Sequence, residues 1–430
     1  MSDWRTLDVQ ITLHSPLQLG TESGIGTYET TNQVIPGAVL RSAVAEAALA
    51  ECSRPEHVTN HAGCPDRPDC PFWQIFGTEE PLWGFAYPAK TGPAWPLPLT
   101  SRTCKLYPGY DAGDGETYHG VYDILIGQFV YDLLTDPAFP LRDRLQPELK
   151  EGLAKLPALP PTSCPKCGGA LKPAMGVYAW DATDGPLYAG RLSVRRATHV
   201  GINRARGVAE DAILFTQETI EVETGGVTFH TRVNVPAAKV GLLRPYLNEQ
   251  EYLIGQGRSR GNGHVKLSVT DSTALSLSGH LEEFNRAITA ALNRASWDDE
   301  RVIPTLPGTL FSITLCSPMI LEQWGQPLLA PTPVMLGLPD ATLLRAWARP
   351  EVVGGWDQAA RLPRRTRLAV QSGSVFLFWT SRAADDADLL KNLSQVDVVG
   401  LGEERPRGYG HVKVCDPFHR FNRIGERSEK

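Results

Sequence analysis

Several features that would narrow the function at once are missing from this sequence. No apolar run in its 430 residues approaches the length of a membrane span, and the opening MSDWRTLDVQ lacks a signal-peptide pattern. The net charge is −6, so no global basic field indicates a nucleic-acid partner. No P-loop lysine motif and no ordered Ser-His-Asp or Cys-His set is present. We therefore expect a cytoplasmic protein without membrane contact, whose ligands bind at local sites.

The composition is that of a globular protein with room for more than one core. Hydrophobic residues make up 42% and charged residues 21%, and the length allows two or three domains. Without a secretory signal, the 8 cysteines favour metal ligation or free thiols over disulfides. Cys164 and Cys167, followed by two glycines, have the spacing of a zinc knuckle. Such a site needs two more ligands, which are either Cys104 with His119 or Cys64 with Cys70.

A glycine-rich stretch occurs twice. Residues 255–266 read GQGRSRGNGHVK and residues 400–413 read GLGEERPRGYGHVK, so both have G-x-G, a variable spacer and G-x-G-H-V-K. Glycine N–H groups and arginines are suited to hold a phosphate. The alternative is a pair of structural turns. The first copy is the more basic, because the second contains two glutamates.

The repeat extends to the other end of each unit. The pattern I-T-L-x-S-P stands at 11–16 and again at 313–318, which indicates a duplication. The smaller unit, with strand, helix, strands, helix and strand, suggests a ferredoxin-like split β-α-β sheet. We predict an α+β protein with two such domains in tandem, at 1–300 and 301–430. The first carries a Cys-rich insertion at about 52–185 and a β-hairpin thumb at about 187–235.

Helical periodicity and start signals place three longer helices. The Pro-Gly at 36–37 predicts a helix over 38–50, and amphipathic spacing predicts others over 118–134 and 281–300.

The order of the motifs resembles a known family. The helix start VIPGAVLRSA at 34–43, the two glycine-rich loops and the duplicated plan resemble the RAMP (repeat-associated mysterious protein, RRM-like) superfamily of CRISPR effector subunits. Within it, SRTCK at 101–105, HGVYD at 119–123, the Cys knuckle and THVGINR at 198–204 are similar to the Csx-ten family of type III-D systems. The C-terminal run at 354–379 resembles the second half of the same Cas-five-like subunits.

The resemblance implies a non-catalytic, RNA-binding subunit that grips the 5′ tag of the CRISPR RNA (crRNA) and caps one end of an interference complex. The expected partners are crRNA, a large polymerase-like subunit and backbone RAMP subunits, with target RNA contacted indirectly. Tyr409 is expected to stack on an unpaired base, and the hairpin to act as a thumb. The predicted RNA-binding residues are Arg41, His199, Asn203, Arg204, Gly257, Arg258, Arg260, Gly261, His264, Arg405, Arg407 and Tyr409.

For the metal, the family-like segments favour one ligand set. Cys104 and His119 lie in those segments, so Cys104, His119, Cys164 and Cys167 are the predicted ligands of a structural Zn²⁺. Whether Cys64 and Cys70 join that site or form a second pair stays open.

The rival hypothesis is a RAMP endoribonuclease that processes precursor crRNA or cleaves target RNA. Processing would need a general acid and base, with His14, His199 or His230 as possibilities. For target cleavage, related backbone subunits carry an aspartate in the loop before I-P-G. Here that loop has only Glu29, which favours a subunit without catalysis.

Overall fold

The computed structural model describes residues 3–20, 28–54, 61–78, 80–89, 92–110, 117–144, 163–181, 185–188, 192–203, 205–206, 208–222, 226–272, 277–295, 306–357 and 361–421. Within them the fold is mixed α/β, with many strands and few helices.

The strands are mostly short. In chain order they are β1 Trp4–Leu13, β2 Tyr28–Glu29, β3 Leu82–Trp83, β4 Tyr87–Pro88, β5 Ala94–Pro96, β6 Ser101–Cys104, β7 Val121–Asp123, β8 Leu171–Pro173, β9 Val177–Asp181, β10 Gly185–Tyr188, β11 Val194–Asn203, β12 Val208–Ile220, β13 Thr228–Pro236, β14 Glu251–Leu253, β15 His264–Asp271, β16 Thr309–Leu315, β17 Glu322–Gln323, β18 Gln326–Pro327, β19 Thr342–Trp347, β20 Pro350–Val353, β21 Trp356–Asp357, β22 Leu362–Pro363, β23 Arg367–Val370, β24 Val375–Thr380 and β25 Val412–Val414.

The α-helices of the described part are α1 Gly37–Ala50, α2 Pro71–Phe76, α3 Leu125–Thr135, α4 Ala237–Leu243, α5 Leu277–Ala295, α6 Ala387–Val399 and α7 Phe418–Phe421. The start of α1 agrees with its sequence signal, since Pro36 occupies the N-cap position and cannot continue a helix backwards.

The first sheet is built around β1. This strand pairs antiparallel with β13 on one side and β15 on the other, in the order β14-β15-β1-β13-β3, with β4 also on β13. Alternate residues of β1 are buried, including Leu7, Val9 and Ile11, because one face packs on the core and the other does not.

The second sheet repeats the neighbours of the first. Its order is β19-β24-β16-β25, so the opening strand β16 again lies between the closing strand, β25, and another antiparallel strand, β24. The two units differ in one respect: residues 316–341, all described, contain no α-helix, only the short strands β17 and β18 and a 3₁₀ turn at 333–336, where α1 follows β1 in the first unit.

Two large hydrophobic cores correspond to the two sheets. The first contains the β1 sheet and α1. The second contains the β16 sheet with α3, α5 and α6. Both α3 and α5 precede residue 300, the predicted domain boundary, yet they cover the second sheet.

The insertion forms small sheets of its own, β10-β9-β5 and β7-β6-β8. The helix predicted over 118–134 starts only at Leu125, because Val121 to Asp123 pair with β6 instead. No helix in the described residues is both long and apolar enough to cross a bilayer.

Candidate nucleic-acid interface and metal centre

The two repeated motifs of each unit lie side by side. The backbone N–H of His264 donates to the Ser15 hydroxyl at 2.9 Å. In the second unit the N–H of His411 donates to the Ser317 hydroxyl at 3.0 Å. The serine of I-T-L-x-S-P therefore holds the histidine of G-x-G-H-V-K in both copies, which explains why the motifs occur together.

The glycine before each histidine is required by a close backbone approach. A Cβ on Gly263 would lie 1.8 Å from the Ile254 carbonyl oxygen, and one on Gly410 would lie 1.8 Å from that of Leu401. Both glycines also have positive φ, 81° and 70°. These two glycines therefore have a structural role at the end of each loop. The neighbouring carbonyl oxygen occupies the space beside each Cα, so no ligand can approach from there.

The loops have the same internal geometry. Each contains one turn of 3₁₀ helix, at 258–260 and 405–407. The residue before this turn is left-handed in both copies, Gly257 with φ 69° and Glu404 with φ 58°. The sequence alignment with a spacer of variable length is therefore wrong. In the structure the two loops match residue for residue, and Glu404 takes the place of Gly257.

Their surroundings differ. The second loop packs against the first unit, since a Cβ on Gly408 would lie 2.6 Å from the Trp83 carbonyl oxygen. Similarly, a Cβ on Gly37 at the start of α1 would lie 3.0 Å from the Arg407 carbonyl oxygen. In the first loop, by contrast, Gly261 faces open space.

Both loops border one cleft of about 1380 Å³. Its walls are α1, residues 253–258 of the first loop, the strand segment 351–357, and Arg407 at the end of the second loop. The sequence predicts none of this proximity, because the walls come from four distant segments.

Arg41 is the side chain of this cleft whose positive charge most favours an anionic ligand. The side chain is half-buried on α1, with its guanidinium carbon 5.2 Å from the Phe76 ring centroid, and it makes no ion pair with any described residue. Burial and the nearby guanidiniums of Arg407 and Arg364 lower its pKa, which Glu404 only partly opposes. A half-buried cation among cations is unfavourable unless an anion joins it. The wall of the cleft therefore suits a phosphate group.

The first-loop arginines are exposed. Arg258 contacts Glu46 of α1 at 3.1 Å, and Arg260 has no ion-pair partner among the described residues. Exposed ion pairs contribute about 0.2–1 kcal/mol, so a phosphate could replace Glu46 at small cost.

The second-loop arginines are more constrained. Arg407 contacts Glu404 and lies 3.7 Å from Asp357, and Arg364 also contacts Glu404, at 2.7 Å. Arg405 is half-buried in the 3₁₀ turn. This agrees with the sequence argument that the second loop is the less basic.

Tyr409 corrects an expectation. Only 8% of its surface is exposed, and its ring packs edge-on to Phe85 at 5.7 Å. Tyr409 borders the cleft, but its ring is mostly covered, so little of it is available for base stacking. Trp356, which the sequence analysis did not select although it lies in the family-like run at 354–379, lines the cleft and is 59% exposed.

The two repeated histidines share only the backbone contact. The His264 ring lies 3.0 Å from Glu251 and 5.3 Å, centroid to centroid, from His14. The Nε2 of His411 is enclosed without a hydrogen-bond partner in the described part, and burial lowers its pKa to about 4. A common phosphate role for the side chains does not fit this difference.

The predicted thumb is the long β11–β12 hairpin, which pairs at its base with β2. His199 stacks on Phe215 at 5.2 Å, and Val200 and Leu214, opposite each other, are more than half exposed. Asn203 ends β11, whereas Arg204 lies outside the described residues. The described arginines of the hairpin, Arg195, Arg196 and Arg206, do not line the cleft.

The predicted zinc ligands do come together. The ligand atoms of Cys104, His119, Cys164 and Cys167 all lie within 4.8 Å of one another. Cys104 Sγ is 3.6 Å from Cys167 Sγ, and Cys164 Sγ is 3.4 Å from His119 Nδ1. Such a Cys₃His set with tetrahedral spacing fits structural Zn²⁺.

The polypeptide around Cys104 favours its thiolate. Burial raises the pKa of Cys104, but N–H groups of Tyr107 and Leu106 and the neighbouring thiols outweigh it, so the pKa is below its usual value. Gly168, with φ 70°, allows the turn after Cys167. The metal would join β6, β7 and the knuckle, a region of short strands with little core of its own.

Comparisons with known proteins now bear on the identity. The family model of CRISPR-associated protein (Cas_Cmr3) matches residues 194–415, just over half of the chain. The chain belongs to this family. No curated protein matches its sequence.

Solved structures to which the chain is similar include a type III-B Cmr-beta complex bound to cognate target RNA and AMPPnP, at 11% identity and TM-score 0.40, covering 86% of each chain. A Cas6 product complex is 12% identical with TM-score 0.29, covering 45% of this chain and 79% of the other. Oligomeric Cmr4 from Pyrococcus furiosus is 13% identical with TM-score 0.25, covering 63% and 100%. Because these scores are below 0.5, the family assignment rests on the sequence match.

Proposed function

We propose that the chain is an RNA-binding structural subunit of a type III CRISPR effector complex, in which the cleft between the two units grips the 5′ tag of the crRNA. Family membership supports the coarser part, a type III CRISPR component. Within it, we assign the chain to the Csx-ten family of type III-D systems, capping one end of the assembly in the cytoplasm. Its neighbours there are a large polymerase-like subunit and backbone RAMP subunits.

The observation that carries the RNA-binding role is Arg41 in the cleft, which is half-buried and has no ion pair with any described residue. A phosphate at this position would neutralise a half-buried guanidinium that also lies near Arg364 and Arg407. Arg258 lines the cleft and adds positive charge to one wall, and the exposed Arg260 follows two residues later in the same loop. Backbone contacts of this kind fix an RNA strand without reading its bases, while Trp356 offers a stacking surface.

The residues of the rival nuclease hypothesis do not form a site in the described residues. His14, His199 and His230 lie on different elements, and no hydrogen bond or ring contact joins any two of them. The Glu29 carboxylate accepts hydrogen bonds from Gln18 and Gln217, at 3.1 and 3.0 Å. We therefore propose a subunit without catalysis. Specific cleavage of repeat RNA that is lost in His199→Ala would contradict it.

The strand neighbours shared by the two sheets support a finer assignment of the fold. We propose two ferredoxin-like units with the boundary near residue 300. Helices α3 and α5 precede this boundary in sequence but pack on the sheet of the second unit. The zinc set of the insertion then has a structural role.

The sharpest test is Arg41→Ala. Because this substitution removes a half-buried charge and also its contact with the Phe76 ring, two opposing effects, we expect only a small change in the stability of the RNA-free chain. Affinity for 5′-tagged guide RNA should fall roughly 10- to 100-fold, since a charge-assisted contact is worth about 1.5–3 kcal/mol. Fluorescence anisotropy with labelled RNA and thermal unfolding of the same samples measure the two effects.

Arg5→Ala is the matched control. Like Arg258, Arg5 is exposed and paired with one carboxylate, that of Asp3 at 2.9 Å, but it lies at the start of β1. It should leave affinity unchanged, while Arg258→Ala with Arg260→Ala should weaken binding and flatten its salt dependence. Equal affinities of wild type, Arg41→Ala and the double variant would refute the cleft as the RNA site.

A further inference from the structure

A second cluster of soft ligands lies apart from the knuckle. Cys52 follows α1, His61 opens a 3₁₀ turn, and Cys70 is the N-cap of α2. His61 Nε2 is 3.3 Å from both sulfurs, and the two sulfurs are 3.4 Å apart. All three side chains are at least 93% buried. Three segments thus bring two thiols and one imidazole to a single point in the interior.

These distances are close to those of a tetrahedral zinc site. With Zn–S of about 2.3 Å and Zn–N of about 2.0–2.1 Å, neighbouring ligand atoms are separated by roughly 3.5–3.8 Å. The sulfurs are too far apart for a disulfide, which needs about 2.05 Å. In addition, the N–H of Arg54 donates to Cys52 Sγ at 3.3 Å, a contact that stabilises a thiolate. Phe72 packs on the imidazole at 4.8 Å and shields it.

We propose that Cys52, His61 and Cys70 bind a second structural Zn²⁺, and that Cys64 completes the four ligands. Cys64 is buried and follows His61 by one 3₁₀ turn, with its N–H donating to the His61 carbonyl at 3.0 Å. Its sulfur is not among the three atoms already grouped. It is, however, the nearest remaining soft ligand along the chain, and a structural site needs four.

The site has a clear mechanical role. It joins the end of α1 to the start of α2, while Arg41 of α1 lies over Phe76 at the other end of α2. The two helices are thus held at both ends. Metal binding would fix the helix that forms one wall of the cleft, in a segment whose residues 55–60 lie outside the described part.

The test is a zinc count on the purified full-length chain by elemental mass spectrometry. We expect about two zinc ions per chain in the wild type, falling to about one in Cys52→Ser with Cys70→Ser. Cys104→Ser with Cys164→Ser should independently remove the other. Cys316→Ser, a buried thiol outside both clusters, is the control and should keep both.

A wild-type count of about two zinc ions supports both sites even if a double variant fails to fold. One zinc per chain, unchanged in Cys52→Ser with Cys70→Ser, would overturn the second site. For the fourth ligand, zinc release is titrated with a chelator: Cys64→Ser should release one ion at least tenfold more readily. Release identical to wild type would exclude Cys64. Since no RNA is involved, these results stand apart from the RNA-binding proposal.

Discussion

Two histidines that hold the same place in the repeat differ in what surrounds their rings. His264 is at the surface beside a carboxylate, whereas the His411 ring is enclosed and stays neutral because its pKa is lowered to about 4 by burial. In the unfolded chain a histidine has a pKa near 6.5. The folded state therefore binds fewer protons between these values, and this contribution to stability is present above about pH 6.5 and lost as the pH falls toward 4.

His411→Asn tests this. The neutral amide cannot be protonated, so the free energy of unfolding should fall less between pH 6.5 and 4 than in the wild type, by about 3 kcal/mol at most. Urea unfolding at several pH values measures the free energy of unfolding of both proteins. Their difference at about pH 7.5, where the histidine is neutral in both states, gives the effect of the substitution on packing. Metal release in acid affects both chains alike and cancels. Parallel curves for both proteins would contradict the assignment.

At the scale of elements, the closing loop of each unit depends on one glycine. In Gly410→Ala the new Cβ would meet the Leu401 carbonyl at 1.8 Å, in a backbone conformation with φ 70°. We expect a loss of at least about 2 kcal/mol in the free energy of unfolding, because both strain and overlap must be relieved. Thermal and urea unfolding measure it.

Gly127→Ala provides the comparison. Gly127 lies inside α3, and a Cβ there meets nothing within 4 Å. Alanine favours helix over glycine by about 1 kcal/mol, so this variant should be unchanged or slightly more stable. If Gly410→Ala is equally harmless, the loop is more adaptable than its backbone contacts indicate.

Elements whose pattern is local were predicted well. The start of α1 follows from neighbouring residues and is confirmed, and the four predicted zinc ligands lie close together. The run at 118–124 was predicted wrongly as helix, because strand pairing with β6 overrides its helical period.

The composition of the site was less accessible from sequence. The arginine at 41 was found through its helix start, but the cleft itself depends on packing between distant segments. A tyrosine in a glycine-rich loop gives no sign of whether its ring is buried, so Tyr409 was misjudged and Trp356 overlooked. The cluster with Cys52 and His61 lacks knuckle spacing, and only the fold brings it together.

At the scale of the whole molecule, the two units are interleaved. Phe129 of α3, inserted within the first unit, is 1% exposed in the core of the second sheet. Phe129→Ala should therefore destabilise that sheet by about 3–5 kcal/mol, as a buried phenylalanine truncation does. Urea unfolding followed by tryptophan fluorescence and by far-UV circular dichroism should show one shifted transition in both signals.

A matched truncation is Phe215→Ala on the β11–β12 hairpin. Its ring is half-buried and stacks on His199, so the loss should be below about 1 kcal/mol. Two separate unfolding transitions, one for each unit, would show that α3 does not couple the units if Phe129→Ala shifts only one of them.

The docking of the second loop on α1 and β3 has a consequence for binding thermodynamics. The contact is made by backbone atoms around Gly37 and Gly408 and by the Phe85 ring, which lies against Gly408. The opposing walls of the cleft are therefore preorganised in the free protein, and little conformational entropy of the polypeptide remains to be lost when a ligand enters. The ordering penalty falls almost entirely on the flexible strand that is bound.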